Sequence, residues 1–167
     1  DTVVSRDDKY RDIGDLSASR PHRVAELDDI SYDFLWEQAR AYNARLPEKR
    51  NRWFLNEEEM EEYNSQLNVA GNGIMGYVDI PKLDVRLAMY HGVDEAVLQI
   101  AVGHIEGSSL PVGGAGSHCV LSGHRGLPSA KLFSALDKMG EGDVFMLHVL
   151  DEVLTDEVDQ VLTVEPD

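Results

Sequence analysis

The sequence predicts a mainly β, α+β protein in which a helical arm precedes a body of short strands. Two helical patterns occupy the chain before residue 68, and short apolar or alternating runs follow from Ile74 onward. Only two short helical segments interrupt those runs. Because a parallel α/β sheet would require strict alternation of strand and helix, this order predicts segregated elements and a β-barrel or related sheet.

Composition and charge restrict the class of partner. The 167 residues suffice for one domain with a sizeable core. Apolar residues make up 43% and charged residues 28%, as in globular proteins. Fifteen Lys and Arg face 31 Asp and Glu, which gives a formal net charge of −16. This excess of acidic residues argues against nucleic acid and against an anionic lipid surface.

The ends of the chain show no targeting signal. No apolar run approaches the ~18 residues of a membrane span. The sequence carries no initiator Met and no signal peptide, so we expect an excised ectodomain or a processed product.

The N-terminal part consists of a polar arm and a helical segment. Residues 1–24 alternate charges with turn-forming residues, and either a short helix over Asp7 to Ile13 or a poorly ordered arm fits them. A clearer helix runs from Asp29 to Leu46 and ends at Pro47. Its apolar residues fall at helical spacing on one face: Leu35, Ala39, Tyr42 and Leu46.

The second helix begins with a complete set of start signals. Asn56 is the predicted N-cap, Glu59 completes a capping box, and Leu55 with Met60 forms a hydrophobic staple. Glycines at 71 and 73 then interrupt the chain. We therefore assign residues 25–68 to the helical segment and residues 69–167 to the barrel.

The body is predicted to contain five strands and two short helices. The glycine-rich run at 112–116 is predicted to be a loop. The helices are predicted at Asp94–Ile100 and Ser129–Met139. The strands are predicted at Ile74–Ile80, Val85–Tyr90, His118–Ser122, Val144–Leu150 and Val153–Val164.

Among the six histidines, His124 is the candidate for chemistry. It ends a predicted strand behind Gly123, and a strand end that opens into a loop is where a scaffold projects a catalytic side chain. The other histidines have less specific surroundings. We expect His22 in solvent, His91 and His104 in loops, and His118 and His148 as structural residues in strands.

The single cysteine, Cys119, excludes an internal disulfide. It could pair with His124 as a nucleophile, but five residues separate them. An odd separation turns two side chains to opposite faces of a strand, about 16 Å apart. Cys119 is therefore expected in the core. No histidine pair has helical metal-site spacing and no CxxC motif occurs, so neither a metal nor a cofactor is expected.

Two stretches resemble the core of class C, pilus-assembling sortases. They are His104–Gly114 and His118–Phe133, and the second contains the specific run Leu-Ser-Gly-His-Arg-Gly-Leu-Pro-Ser-Ala-Lys. The flanking segments extend the resemblance: Met75–Pro81, Tyr90–Gly92, Gly142–Phe145, His148–Val149 and Val158–Asp167. It implies a sortase-type β-barrel, incomplete at the C-terminus, with an N-terminal helical arm.

The resemblance also implies an activity. Such enzymes are cysteine transpeptidases that cleave LPXTG-like sorting signals and join pilin subunits through lysine isopeptide bonds. The family's catalytic histidine matches His124. The family's TLxTC strand and catalytic Arg have no counterpart in residues 1–167, so the chain is expected to end before the catalytic Cys and Arg.

The resemblance further implies partners and a location. The partners are pilin subunits that carry an LPXTG-like signal and an acceptor lysine, and no cofactor is implied. The expected location is the extracellular face of the cell membrane, with the membrane reached only through anchors outside this chain.

Residues 47–55 correspond to the lid of many class C sortases, which carries an Asp-Pro-aromatic motif. No Asp-Pro precedes Trp53 or Phe54, so a lid with one of these aromatics as its plug and a simple interhelix linker stay open as alternatives. Two other functions also stay open. One is an inactive sortase-like binding or structural barrel, and the other is a housekeeping, cell-wall-anchoring sortase, against which the long helical arm argues.

Overall fold

The computed structural model describes residues 2–5, 27–125 and 133–165. The segment over Asp7–Ile13, for which a helix was one prediction, lies outside these residues. So do His22 and the first four residues of the predicted helix Ser129–Met139.

The first long helix, α1, spans Leu27–Arg45 and is followed by a 3₁₀ turn at Leu46–Glu48. Ala39, Tyr42 and Leu46 are buried, as their spacing predicted. Proline occupies the first turn of the 3₁₀ segment, where its missing N–H costs nothing, and it prevents α1 from continuing.

The second helix, α2, spans Glu57–Ser65 and confirms the predicted capping box. The Asn56 side chain accepts a hydrogen bond from the Glu59 N–H at 2.9 Å, and the Glu59 carboxylate accepts one from the Asn56 N–H at 3.0 Å. Leu55 and Met60 are half-buried against the core. The start of α2 is therefore held by its local sequence.

One mixed sheet of seven strands forms the body of the described chain, and its open order is that of a half-barrel. The order is β1-β5-β4-β3-β2-β6-β7, with β3 and β4 parallel and the other neighbours antiparallel. A four-residue helix, α3 (Glu95–Leu98), connects β3 to β4. The strands are β1 Thr2–Ser5, β2 Ile74–Ile80, β3 Val85–His91, β4 Val102–His104, β5 Val120–Gly123, β6 Val144–Val149 and β7 Glu152–Glu157.

Two strands were not predicted. β4 has three residues and contains Gly103, which is too little for an alternating pattern. A side chain at Gly103 would collide with the carbonyl oxygen of Gly92, so the glycine permits close approach of the chain that leaves β3. β1 lies in the polar arm, where four residues carry no periodic signal.

Two predicted strands differ from the observed ones by more than one residue at an end. β5 begins at Val120, because the backbone of His118 is hydrogen-bonded instead to Ser109. The predicted strand Val153–Val164 is wrong beyond Glu157. Residues 159–165 are exposed and carry no strand assignment, since β-forming residues make a strand only where a neighbouring strand accepts their hydrogen bonds.

The predicted short helices are also shorter. α3 has four residues, where seven were predicted. The described part of the second is a 3₁₀ segment, Phe133–Lys138, in which Ala135 leaves helical geometry.

The core lies between the sheet and the helical segment. Cys119 is 5% exposed within it, which confirms its prediction as a core residue. The fully buried side chains come from both parts and include Tyr42, Tyr63, Leu67, Met89, Val102, Leu110, Phe133 and Leu147.

Polar contacts from both helices hold the helical segment against the sheet. Asn43 of α1 donates to the carbonyl oxygen of Leu110 at 3.0 Å and accepts from the N–H of the same residue at 2.7 Å. Tyr63 of α2 reaches His104 in β4.

Within the described residues, no helix combines the length and apolarity needed to cross a bilayer.

Candidate active site

The sheet register places His124 at a defined corner of the fold. Gly103 of β4 pairs with Ser122, and Thr2 of β1 pairs with Gly123. His124 directly follows β5 and therefore lies beside the start of β4 and the start of β1. Its side chain is 21% exposed, so the imidazole is reachable from solvent but mostly enclosed.

Gly123 sets the backbone that presents His124. A β-carbon at Gly123 would lie 2.6 Å from the ring of Phe133 and 3.0 Å from Val102, closer than such contacts normally come. Phe133 is 2% exposed, and its N–H donates to the carbonyl oxygen of His124 at 3.2 Å. The glycine thus allows the buried Phe133 ring to pack where the strand ends, next to His124.

Glu95, the first residue of α3, faces the imidazole of His124. The Nε2 atom of His124 lies 3.3 Å from one carboxylate oxygen and 3.4 Å from the other. No sequence motif links the two residues, which are 29 positions apart. Only the β3–α3–β4 connection brings them together, so pattern reasoning on the sequence missed Glu95.

Cys119 and His124 flank β5 from opposite ends. Cys119 precedes the strand and belongs to the core, whereas His124 follows the strand and is partly exposed. The separation expected for five extended residues is about 16 Å. The structure gives Cys119 the surroundings of a packing residue.

His104 is fully buried in β4, not in a loop as predicted. Nε2 lies 2.8 Å from the carbonyl oxygen of Ser109, and Nδ1 lies 2.8 Å from the hydroxyl of Tyr63. Nε2 must donate to the carbonyl, so Nδ1 accepts from Tyr63, whose oxygen accepts from the Gly92 N–H at 3.1 Å. Burial is the main cause that lowers the pKa of His104 to about 4. The hydrogen bond to the Ser109 backbone acts in the opposite direction and offsets only part of that shift. A buried neutral imidazole of this kind is a structural residue.

The remaining described histidines contact protein groups away from His124. His91 was predicted in a loop but is the last residue of β3. Its Nδ1 atom lies 2.8 Å from the carbonyl oxygen of Gly73, and its Nε2 atom lies 2.7 Å from that of Gln66. His148 lies in β6, as predicted, and stacks on Tyr77 at 4.3 Å between ring centroids. His118 is exposed and precedes β5, which corrects its prediction as a strand residue.

Trp53 lies near the other end of β5 from His124. The Trp53 ring packs on Gly107, where a β-carbon would lie 2.9 Å from it. Gly107 lies two residues after Ile105, whose N–H donates to the carbonyl oxygen of Val120 at the start of β5. His124 lies four residues beyond Val120 along the strand, and this separation corresponds to about 13 Å in an extended chain. Trp53 is 49% and Phe54 77% exposed.

In the part of the chain that the structure describes, no group of three or more His, Cys, Asp or Glu side chains is arranged to hold a metal ion. His124, with a carboxylate beside it, gives the described corner a group capable of proton transfer.

The fold and this corner define the class of protein. The sortase domain model matches residues 78–167, and the chain belongs to the sortase family. The predicted sortase-type fold with its N-terminal helical arm is thereby confirmed, and its curled sheet is a half-barrel. Comparison with characterised protein sequences gives no match.

Solved relatives place the chain near class C. Sortase C1 from Streptococcus agalactiae is 44% identical with a TM-score of 0.78, over 86% of this chain and 74% of that one. Sortase C from Streptococcus pneumoniae is 46% identical with a TM-score of 0.73, over 84% and 71%. Sortase C-1 from Actinomyces oris is 33% identical with a TM-score of 0.69, over 77% and 74%. The protein is a class C-like sortase.

Proposed function

We propose that the protein is a pilus-assembling cysteine transpeptidase with His124 as its proton-transfer residue. The observation that carries this proposal is the position of His124 at the end of β5, in a chain 44–46% identical to two sortases C. The structure of the S. pneumoniae relative is described as informative on pilin substrate specificity. By this similarity, the proposed substrates are pilin subunits that carry an LPXTG-like signal and an acceptor lysine.

The proposed reaction has two proton transfers. A cysteine thiolate attacks the carbonyl carbon of the Thr in the LPXTG-like signal. The His124 imidazolium gives its proton to the departing amine as the peptide bond breaks. The neutral imidazole then takes a proton from the lysine amine of the next pilin. That amine attacks the thioester, the isopeptide bond forms, and the thiolate leaves.

The thiolate in this proposal is not that of Cys119, which is buried in the core. The family carries its nucleophile in a TLxTC strand and has a catalytic Arg, neither of which has a counterpart in residues 1–167. The same proposal puts the protein at the extracellular face of the membrane, held by anchors outside this chain.

The test is pilin polymerisation by the complete gene product. Incubation with a purified pilin should produce covalent ladders on denaturing gels, and His124→Ala should abolish them. His118→Ala, at an exposed histidine outside the proposed site, is the matched control and should retain them. Hydrolysis of a sorting peptide without ladders would instead indicate a cell-wall-anchoring type. Absence of both reactions in the parent would favour the inactive barrel.

A further inference from the structure

The contact between Glu95 and His124 joins two parts of the fold that are not adjacent in the sequence. Glu95 begins α3, in the crossover between the parallel strands β3 and β4, and His124 follows β5. We propose that Glu95 is a positioning residue that orients the His124 imidazole and selects its tautomer. The consequence for catalysis depends on the proposed function, whereas the orientation is a property of the chain itself.

The carboxylate is placed by its own helix. Gln99 lies one turn further along and donates to the Oε1 atom of Glu95 at 3.4 Å. Both carboxylate oxygens lie within 3.4 Å of the His124 Nε2 atom. Gln99, Glu95 and His124 thus form a chain of contacts that leads from the crossover helix to the imidazole.

The backbone of His124 is held by a separate contact, with Phe133. The Phe133 N–H bonds to the carbonyl oxygen of His124, and the Phe133 ring packs on Gly123. With the main chain held at this point, rotation of the side chain decides where the imidazole points. A carboxylate beside one ring nitrogen restricts that rotation.

The contact also decides which nitrogen carries the proton. A neutral imidazole has one N–H, and a carboxylate can only accept, so the proton resides on Nε2. In this tautomer Nδ1 carries the lone pair of the ring, which is the position that takes up a proton. Loss of Glu95 removes this preference for the Nε2–H tautomer.

The effect is expected to be modest. Glu95 is 70% exposed, and distances of 3.3–3.4 Å exceed the 2.7–2.9 Å that is typical of charge-assisted hydrogen bonds. Contacts of this kind at a surface correspond to about a two- to fivefold change in an equilibrium or a rate. They also weaken as salt screens the charge.

The first test reads the tautomer directly, by two-bond ¹H–¹⁵N correlation spectra of the imidazole in this chain at a pH where the ring is neutral. The parent should show mainly the Nε2–H tautomer, and Glu95→Ala should shift the population toward Nδ1–H by about two- to fivefold. Glu95→Gln should retain the parent tautomer, because its amide oxygen still accepts. Asp94→Asn, a charge loss at the adjacent position, should leave the spectrum unchanged. An unchanged tautomer in Glu95→Ala would overturn the proposal.

The second test uses the complete gene product and a sorting-signal peptide. Glu95→Ala should lower kcat about two- to fivefold with KM unchanged, and the difference from the parent should shrink in 1 M NaCl. An unaltered kcat at low salt would contradict the catalytic part of the proposal. If the parent itself fails to form isopeptide bonds, the proposed function is wrong, and the tautomer measurement alone decides the role of Glu95.

Discussion

The histidines show how far sequence reasoning reaches at the scale of a residue. His124 could be selected because a short, specific run surrounds it and because it ends a strand. Its neighbour Glu95 could not, because the two residues meet only after β3, α3 and β4 have been arranged in space. His104 was wrongly expected in a loop, since a strand of three residues has no recognisable period.

The buried His104 predicts a dependence of stability on pH. Its pKa is about 4 in the folded state, against about 6.5 for an exposed histidine in the unfolded chain. Between pH 4 and pH 6.5 the unfolded chain binds more protons than the folded chain. The contribution of the neutral His104 to the free energy of unfolding is therefore complete above pH 6.5 and is lost as the pH falls toward 4. The loss amounts to about 3 kcal/mol for this residue. Urea unfolding at pH 7.5 and pH 4.5 should show it.

A matched variant isolates this contribution. His104→Asn should be less stable at pH 7.5 but should lose less of its free energy of unfolding on acidification than the parent. The ring resonances of His104 in the parent should not titrate between pH 5 and pH 7.5. Titration in that interval, or an equal pH dependence in the variant, would contradict the assignment.

At the scale of secondary-structure elements, local signals worked where the element is determined locally. The start of α2 was predictable because Asn56 and Glu59 satisfy each other's backbone groups. The end of the last strand was not, because residues past Glu157 have the β-forming composition of a strand but are not assigned to one. Strand limits depend on neighbouring strands, which sequence patterns do not reveal.

The segment 47–55 leads to a prediction that separates a linker from a lid. The Trp53 ring packs on Gly107 near the start of β5, so Trp53→Ala should lower the free energy of unfolding by about 1–2 kcal/mol through lost apolar contact. The rate of sorting-peptide cleavage by the complete gene product should change little. Urea unfolding and the cleavage rate are the measurements.

Phe54→Ala provides the control, since Phe54 is 77% exposed and should be nearly neutral for stability. A lid would give the opposite pattern. Removal of a plug would raise the cleavage rate while the free energy of unfolding stayed constant, and that result would support the lid interpretation for Trp53.

At the scale of the whole molecule, the helical segment and the sheet share one core. The apolar stripe of α1 predicted a buried face but not the partner that covers it. Asn43, between the stripe residues Ala39 and Leu46, makes two hydrogen bonds to the backbone of Leu110 in the β4–β5 connection. A polar residue within an apolar stripe carries no sequence signal that names its partner.

Asn43→Ala should therefore destabilise the docking of α1 onto the sheet. Loss of both hydrogen bonds leaves the N–H and the carbonyl of Leu110 without this partner, which costs about 1–3 kcal/mol. Urea unfolding measures the free energy of unfolding. The rate of limited proteolysis in the segment that follows α1 shows whether α1 stays docked on the sheet. Asn64→Ala, at an exposed position of α2, is the matched control and should have little effect. Equal stability of the parent and Asn43→Ala would show that α1 is held by apolar contacts alone.

The pairing of β1 with β5 has a consequence for how the molecule assembles in time. Thr2 meets Gly123 across more than a hundred positions of chain, whereas Gly103 and Ser122 close a loop of about twenty. Since closing a longer loop costs more entropy, the β4–β5 pair should form early and β1 should join last. The corner that presents His124 would then be built before the N-terminal strand arrives, and folding experiments should find β1 added in a late, separate step.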